Sequence, residues 1–299
     1  MRPFSNTNTG RLAKRFAISL LIGLSTLSLH GHSKQEPILS FAILGDGEPK
    51  PLAEFPHTQA AVEQVNAMAE SHKFSFVAGI GDIPHKGTRI QYEAATQTLT
   101  QLTLPFYTIM GNEEHGSTVE RYLEYLTKWN EGKTDLIKTK YVLEYDALAL
   151  IFASADIGRD FDDAGILWIV EQLKQLQDKP VFLFAHAAQA GVYPENADKG
   201  VKHPGFAQVL AQKNLVAIIS GDLHMDMDRV DHSKQIGNIH YLHIPALERT
   251  KIPDTSKHTP MFRTITVEAD RNVKVDTYAV GSETPLARHA YSFQLPEIN

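Results

Sequence analysis

Short apolar runs alternate with helical patterns of apolar residues along most of the chain, and this alternation limits the fold more than any other feature. The helical spacing predicts helices at residues 58–71, 91–102, 119–129, 164–176 and 206–212. The apolar runs predict strands at residues 38–44, 74–78, 104–110, 141–145, 147–153, 180–184, 216–220, 240–244, 264–269 and 273–280. Such alternation is typical of a layered α/β or α+β domain, in which helices cover sheets.

Polar residues cluster where the predicted strands end. Four strands are followed by glycine and then by polar side chains, and a fifth ends at His186: the four sets are Asp46 and Glu48, Asp82 and His85, Asn112, Glu113 and His115, and Asp222 and His224. One such end is usually only a turn. Because sites form beyond the carboxyl ends of strands, five ends together predict one site. They supply carboxylate, amide and imidazole groups, a ligand set that suits a two-metal hydrolytic centre.

The composition restricts both the ligands and the partners. The 299 residues include 14 His, 35 Asp plus Glu, and no Cys. The absence of Cys excludes thiolate nucleophiles, iron–sulfur clusters and Cys-ligated zinc. The formal charge of −6 argues against a general nucleic-acid-binding protein, which usually has a basic balance.

The amino-terminal segment has the three-part plan of a secretory signal peptide. Four basic residues precede an apolar run over residues 16–29, and small residues stand three and one positions before a cleavage site after Ser33. We therefore predict a signal peptide at residues 1–33 and a single domain at residues 34–299. The alternative is an uncleaved anchor or a buried helix. Cleavage changes the formal charge from −6 to −10, and predicts an exported protein, periplasmic or secreted, without a stable membrane anchor.

The strand-end motifs resemble those of the calcineurin-like metallophosphoesterases over roughly residues 41–226. The family pattern is Asp-x-His, Gly-Asp-x-x-Asp-x-Gly, Gly-Asn-His-(Glu/Asp), a lone His and Gly-His-x-His. The corresponding elements here are Asp46-Gly-Glu48, Gly81-Asp82-Ile-Pro-His85-Lys86-Gly87, Gly111-Asn112-Glu113-Glu114, His186 and Gly221-Asp222-Leu-His224. The resemblance implies an α/β fold, a four-layer α/β/β/α sandwich with metals at one edge. It also implies hydrolysis of a phosphoric ester by a metal-activated water.

The resemblance also implies a ligand set for two divalent metal ions. Asp82 would bridge them, Asp46 and His224 would bind the first, and Asn112 and His186 the second. Two further metal ligands, Glu48 and Asp222, stand where the family has histidine. Since carboxylates suit harder cations, this exchange favours Mn²⁺ or Mg²⁺ over Zn²⁺, with iron also compatible. The alternative for Glu48 is a solvated loop acid.

The catalytic positions are altered as well. His85 and Glu113 stand where the family has a supporting Asp and the proton-donating His, so the pair is exchanged between two strand ends. We therefore predict His85 as general acid, oriented by Glu113. His115 is a rival, and the third possibility is that neither histidine acts. Lys86 and Asn112 are candidate substrate-binding residues, and Arg249 is a weaker one; exposed lysine is the alternative for Lys86.

The function that follows is an exported, metal-dependent phosphoric ester hydrolase, a phosphatase or phosphodiesterase acting on a small phosphorylated substrate. The main alternative is a degenerate family member that binds metal or a phosphorylated ligand without turnover. A third alternative is an enzyme that uses a single metal ion. The sequence leaves open the choice between monoester and diester, and also the oligomeric state.

Overall fold

The computed structural model describes residues 35–298. The predicted signal peptide lies outside these residues, so export and the domain boundary stay predictions. In the described part, no helix has both the length and the apolar character needed to cross a membrane.

The described chain alternates strands and helices, with short 3₁₀ turns between some of them. In chain order the elements are β1 (Leu39–Leu44), α1 (Pro56–Met68), β2 (Phe76–Gly79), α2 (Arg89–Leu99), β3 (Phe106–Tyr107), α3 (Val119–Trp129), β4 (Lys140–Glu144), β5 (Ala149–Ala153), α4 (Asp163–Gln175), β6 (Val181–Ala185), α5 (Phe206–Leu210), β7 (Leu215–Ser220), β8 (Ser233–Ile236), β9 (Ile239–His243), β10 (Met261–Val267), β11 (Asn272–Ala279) and β12 (Tyr291–Gln294).

These strands form two six-stranded sheets, with the orders β12-β11-β10-β1-β2-β3 and β4-β5-β6-β7-β9-β8. In the first sheet β1, β2 and β3 run parallel, with Phe41 opposite Phe76. In the second sheet β5, β6, β7 and β9 run parallel. The parallel strands of each sheet therefore end together, which gathers the loops that follow β1, β2, β6 and β7.

Three apolar layers hold the sheets and helices together. Between the sheets, the rings of Phe152 and Phe184 stack with centroids 4.2 Å apart, and Tyr141 stacks on Phe152 at 4.9 Å. Helices α1, α2 and α3 cover the first sheet with buried residues such as Trp129, while α4 and α5 cover the second with residues such as Ile169. The layer order is therefore α/β/β/α, and the predicted four-layer sandwich is confirmed.

Three strands differ from the sequence prediction. The strand predicted at residues 104–110 is only two residues long, because the chain beyond it turns to the other sheet: Met110 N–H donates to Ser154 Oγ at 2.8 Å. Strands β8 and β12 were not predicted. Both are edge strands with exposed residues, so they lack a strong apolar pattern.

The stacked rings between the sheets generate a stability prediction. Changing Phe152 to Ala removes a fully buried ring, and we expect the free energy of unfolding to fall by about 3–5 kcal/mol in urea denaturation. The control is Leu167→Ala on α4, a residue that is 57% exposed, with an expected change within about 0.5 kcal/mol. Equal losses in the two variants would contradict the assignment of the inter-sheet layer as the main core.

Candidate metal centre

Four strand ends place the predicted ligands at one buried edge. Asp46 lies two residues after β1, Asp82 three after β2, His186 directly after β6, and Asp222 two after β7. All four side chains are at most 2% exposed, as is His224. Burial of so many ionisable groups is costly unless they are paired or bind a cation.

The backbone at this edge is held in an unusual conformation. In the described chain seven non-glycine residues have positive φ, and five belong to these loops: Glu48, Asp82, Lys86, Asp222 and His224. Such residues are uncommon and cluster at functional sites, because the surrounding structure must compensate for the strain.

Two glycines make the close approach of the loops possible. A side chain at Gly81, which has φ +90°, would come within 2.6 Å of the Gly111 nitrogen. One at Gly221 would come within 2.6 Å of Asp46 Oδ2. A larger residue in place of Gly81 or Gly221 would therefore clash with a neighbouring loop.

Two groups of ligand atoms meet at this edge and share one residue. Asp46, Asp82 and His224 form the first group, and Asp82, His186 and Asp222 form the second; within each group the ligand atoms lie within 4.8 Å of one another. The arrangement corresponds to the predicted bridging position of Asp82. Asp222 is in the same group as His186, which is a predicted ligand of the second metal.

The donor atoms fit bound cations. Within the described residues, six buried atoms of the predicted ligands make no hydrogen bond: Asp46 Oδ2, Glu48 Oε1, Asp82 Oδ2, His186 Nε2, Asp222 Oδ2 and His224 Nε2. The other ring nitrogen of each histidine lies near a main-chain oxygen, at 2.8 Å between His186 Nδ1 and Ile80 O and at 3.1 Å between His224 Nδ1 and Arg249 O. Such contacts orient a histidine with Nε2 available to a metal.

Burial and crowding shift the pKa values of these groups. Burial raises the pKa of Asp46 to about 8, and the neighbouring Asp82 charge adds to this effect. Burial lowers the pKa of His224 to about 3. Burial opposes protonation of His186 too, but the Asp82 and Asp222 carboxylates outweigh it and hold its pKa well above the ordinary value. Without a cation, the site therefore retains protons that a metal would displace.

Glu114 supports the site from behind, a role that the sequence analysis missed. Its fully buried carboxylate accepts backbone hydrogen bonds from Asp82 and Gly111, both to Oε2 at 2.9 and 2.8 Å, and from Ile83 to Oε1 at 2.9 Å. Burial raises its pKa to about 7. Glu114 stands at the acidic position that ends the family's Gly-Asn-His-(Glu/Asp) motif, and this was the available signal.

The predicted general-acid pair lies beside the metal groups. His85 Nδ1 is 2.8 Å from Glu113 Oε2. Glu113 also accepts hydrogen bonds from the Lys86 main chain at 2.6 Å and from Asn112 Nδ2 at 3.3 Å. The rival His115 places Nε2 3.0 Å from Ala155 O. The structure thus brings His85 and Glu113 together, and the Lys86 side chain is exposed.

Arg159 is a second site residue that the sequence analysis missed. Its Nη2 donates to Asn112 Oδ1 at 2.9 Å, and its Nε lies 3.0 Å from Asp222 Oδ2. The guanidinium therefore contacts one predicted ligand from each sheet. Arg159 lies in the loop between β5 and α4, outside every motif, and the only sequence signal was a single basic residue among Asp156, Asp160, Asp162 and Asp163.

Glu48 has a more complex environment than its predicted role as a metal ligand requires. Its carboxylate is 1% exposed, and Oε2 lies 3.3 Å from His224 Nε2. It also forms ion pairs with Lys50, Arg249 and Lys251. Burial opposes ionisation, but hydrogen bonds from Lys251 and Lys50 outweigh it, and the pKa of Glu48 is lowered. These three cations compete with a metal for its oxygens, and metal ligation by Glu48 stays a prediction.

Two curated relatives match parts of the chain. The probable glycerophosphodiester phosphodiesterase GpdQ of Arcobacter nitrofigilis is 30% identical over 122 residues, which are 40% of this chain and 43% of the relative. The glycerophosphodiester phosphodiesterase GpdQ of Enterobacter lignolyticus is 27% identical over 172 residues, which are 54% of this chain and 60% of the relative. The chain thus spans about half the length of the curated relatives it matches.

Two solved structures share the fold at low sequence identity. The purple acid phosphatase PPD1 from yellow lupin (Lupinus luteus) superposes with a TM-score of 0.59 and 14% identity, covering 87% of this chain and 55% of that one. GAP50 of Plasmodium, described as the anchor in the inner membrane complex, superposes with a TM-score of 0.58 and 11% identity, covering 87% and 89%.

A comparison of the sequence with protein families shows which family the chain belongs to, across most of the described residues. The family model of the calcineurin-like phosphoesterases matches residues 39–226, a span that includes every predicted metal ligand. The resemblance stated from the motifs is therefore confirmed. The chain belongs to the calcineurin-like phosphoesterase family.

Proposed function

We propose that the chain is an exported, metal-dependent phosphoric ester hydrolase that uses a dinuclear metal centre to act on a small phosphorylated substrate. The observation that carries this proposal is the sharing of Asp82 by two buried ligand groups. The GpdQ relatives, named as phosphodiesterases, support ester hydrolysis. Export is supported by the amino-terminal sequence pattern alone.

The chain's own residues would hold the metals and the substrate. Asp46 and His224 would bind one cation, with Asp82 between the two cations. His186 and Asp222 would bind the other, where the sequence also predicts Asn112 as a ligand. When bound, the two cations offset charge on the phosphoryl oxygens and lower the pKa of the attacking water. Arg159 and Asn112 lie at the second group, where they can bind a phosphoryl oxygen. Three aspartates in the donor set favour Mn²⁺ or Mg²⁺ over Zn²⁺.

The leaving oxygen needs a proton, and His85 is the proposed donor. Glu113 contacts His85 Nδ1, which leaves Nε2 of the same ring for the substrate. A carboxylate in this position fixes the orientation of the ring. His85 is partly exposed, as a residue that meets substrate must be.

One observation favours the second candidate, a member that binds metal or a phosphorylated ligand without turnover. Arg159 already pairs with Asp222 and Asn112, so its charge takes part of the role of a second cation. The count of bound metal ions and the rate of ester hydrolysis separate the two candidates.

The shared position of Asp82 generates the first activity prediction. We expect Asp82→Asn to lower metal affinity and the hydrolysis of an aryl phosphate by about 100-fold or more, because both cations lose a ligand. Elemental analysis and steady-state kinetics with Mn²⁺ measure the two effects. The exposed Asp178→Asn should behave like the parent protein. Full metal content in the Asp82 variant would contradict the shared site.

The raised pKa of Asp46 predicts how the metal-free protein responds to pH. The folded state binds the Asp46 proton more tightly than the unfolded state, with a pKa of about 8 against 3.8, so this stability is lost as the pH rises through 8. Urea unfolding without metal should show lower stability at pH 8.5 than at pH 6.5. Below pH 6.5, buried neutral histidines such as His224 contribute with the opposite sign.

Asp46→Asn supplies the control for this pH dependence. The variant should lose much of the fall in stability between pH 6.5 and 8.5, whereas Asp178→Asn should keep it. A parent protein whose metal-free stability rises through this range would contradict the assignment. Added Mn²⁺ should reverse the trend, because it binds the ionised carboxylates.

The His85–Glu113 pair generates a prediction about leaving groups. His85→Ala should slow hydrolysis of an alkyl phosphate ester by about 100-fold, because a poor leaving group needs a proton. It should slow hydrolysis of a p-nitrophenyl ester much less. His115→Ala is the matched comparison, and it should change both rates by much less than about 100-fold. If His115→Ala shows the selective loss instead, the general acid is His115.

A further inference from the structure

A cluster of three cations lies beside the first metal group. Arg249 Nη2 and Lys251 Nζ lie 2.5 and 2.7 Å from Glu48 Oε2, and Lys50 Nζ contacts Oε1. Three cations therefore surround one carboxylate. His85 Nδ1 lies between two carboxylates, 3.3 Å from Glu48 Oε1 and 2.8 Å from Glu113 Oε2. We call Lys50, Arg249 and Lys251 the cationic rim.

The rim has donors that Glu48 does not use. Glu48 is buried at 1% exposure, whereas the side chains of the rim are 36%, 26% and 30% exposed in chain order. Glu48 therefore lies beneath the cations, whose outer sides reach solvent. An ammonium has three N–H donors, and within the described residues the ammonium groups of Lys50 and Lys251 contact Glu48 alone. Lys50 also lines an open groove with His57 and with two acids, Glu54 and Glu248.

The rim is fixed next to the metal centre. The Lys251 backbone N–H donates to His224 O at 2.8 Å, and Arg249 O accepts from the His224 ring. In the same loop, Glu248 accepts hydrogen bonds at 2.7 Å from the backbone N–H and hydroxyl of Thr58 at the start of α1. A group held by the rim would therefore lie close to a phosphoester at the metal centre, in a defined direction.

We propose that Lys50, Arg249 and Lys251 form a subsite for a second anionic group of the substrate, either a carboxylate or a phosphate. The preferred substrates are then phosphoric esters that carry another negative charge near the ester. This inference rests on the proposed function and adds a substrate class to it. Glu48 orients the three rim cations, and its single carboxylate does not use all of their N–H donors.

A matched series of aryl phosphate esters tests the subsite. Phenyl esters with a 3-carboxylate or a 3-phosphonate, a non-hydrolysable equivalent of a phosphate, are compared with the neutral 3-carboxamide. Each is used in the monoester or methyl diester form that the enzyme hydrolyses. We expect KM for the anionic esters to be about tenfold lower than for the carboxamide, with a smaller change in kcat. Preference for only one anion identifies the second group. Equal KM values for all three esters overturn the subsite.

Variants that remove a positive charge test whether the rim causes the KM difference. In the Lys50→Met/Lys251→Met double variant, the KM advantage of the anionic esters should fall to less than about twofold. Lys257→Met removes a charge from an exposed side chain in the same loop and should keep the tenfold advantage. An advantage that survives in the double variant overturns the assignment to the rim.

Ligand binding without metal separates this inference from the proposed function. Isothermal titration of the metal-free protein with inorganic pyrophosphate should show binding that weakens at least fivefold in the double variant and not in Lys257→Met. If no ester is hydrolysed, the proposed function fails, and this titration alone decides the subsite. The same affinity in parent and double variant, or no binding to the parent, overturns the subsite.

Discussion

The mutual repulsion of buried carboxylates is the constraint on which this molecule depends. Asp46, Asp82 and Asp222 lie at one sheet edge with almost no access to water, so their negative charges cannot be screened by solvent. Contacts with histidine rings and with Arg159 offset part of this repulsion. Bound protons offset the remaining repulsion in the metal-free protein, and bound metal ions would offset it in the metal-loaded protein. The positive φ angles and the close glycine contacts place the charges together despite the repulsion.

The two sides of the site, the metal ligands and the cationic rim, differ in the sign of their charged groups. On the metal side, negative charge exceeds positive charge and recruits cations. On the other side, Lys50, Arg249 and Lys251 present partly exposed N–H donors to the anion of the proposed subsite. Both arrangements depend on the same loop after β9, which contacts His224 and also binds the start of α1 through Glu248. With cations bound, a phosphorylated ligand would be attracted from both sides in a protein that is acidic overall.

The sequence predicted what lies within short motifs and missed what is built between distant loops. Asp46, Asp82, His186 and His224 were found because each follows an apolar strand, and parallel strands end at one edge. The contact between Arg159 and Asn112 joins residues 47 positions apart, and that between Arg249 and Glu48 joins residues 201 apart. No local pattern encodes such pairs. Strands β8 and β12 were missed for another reason, since edge strands need little apolar surface.

The division of the ligands between the sheets has a mechanical consequence. Asp46 and Asp82 follow strands of the first sheet, whereas His186, Asp222 and His224 follow strands of the second. A cation held by both sets cross-links the two halves of the sandwich at their open edge. In a chain without cysteine, it does what a disulfide does elsewhere, but reversibly. The supply of metal in the surroundings would then set the resistance of the folded protein to proteases as well as its catalytic state.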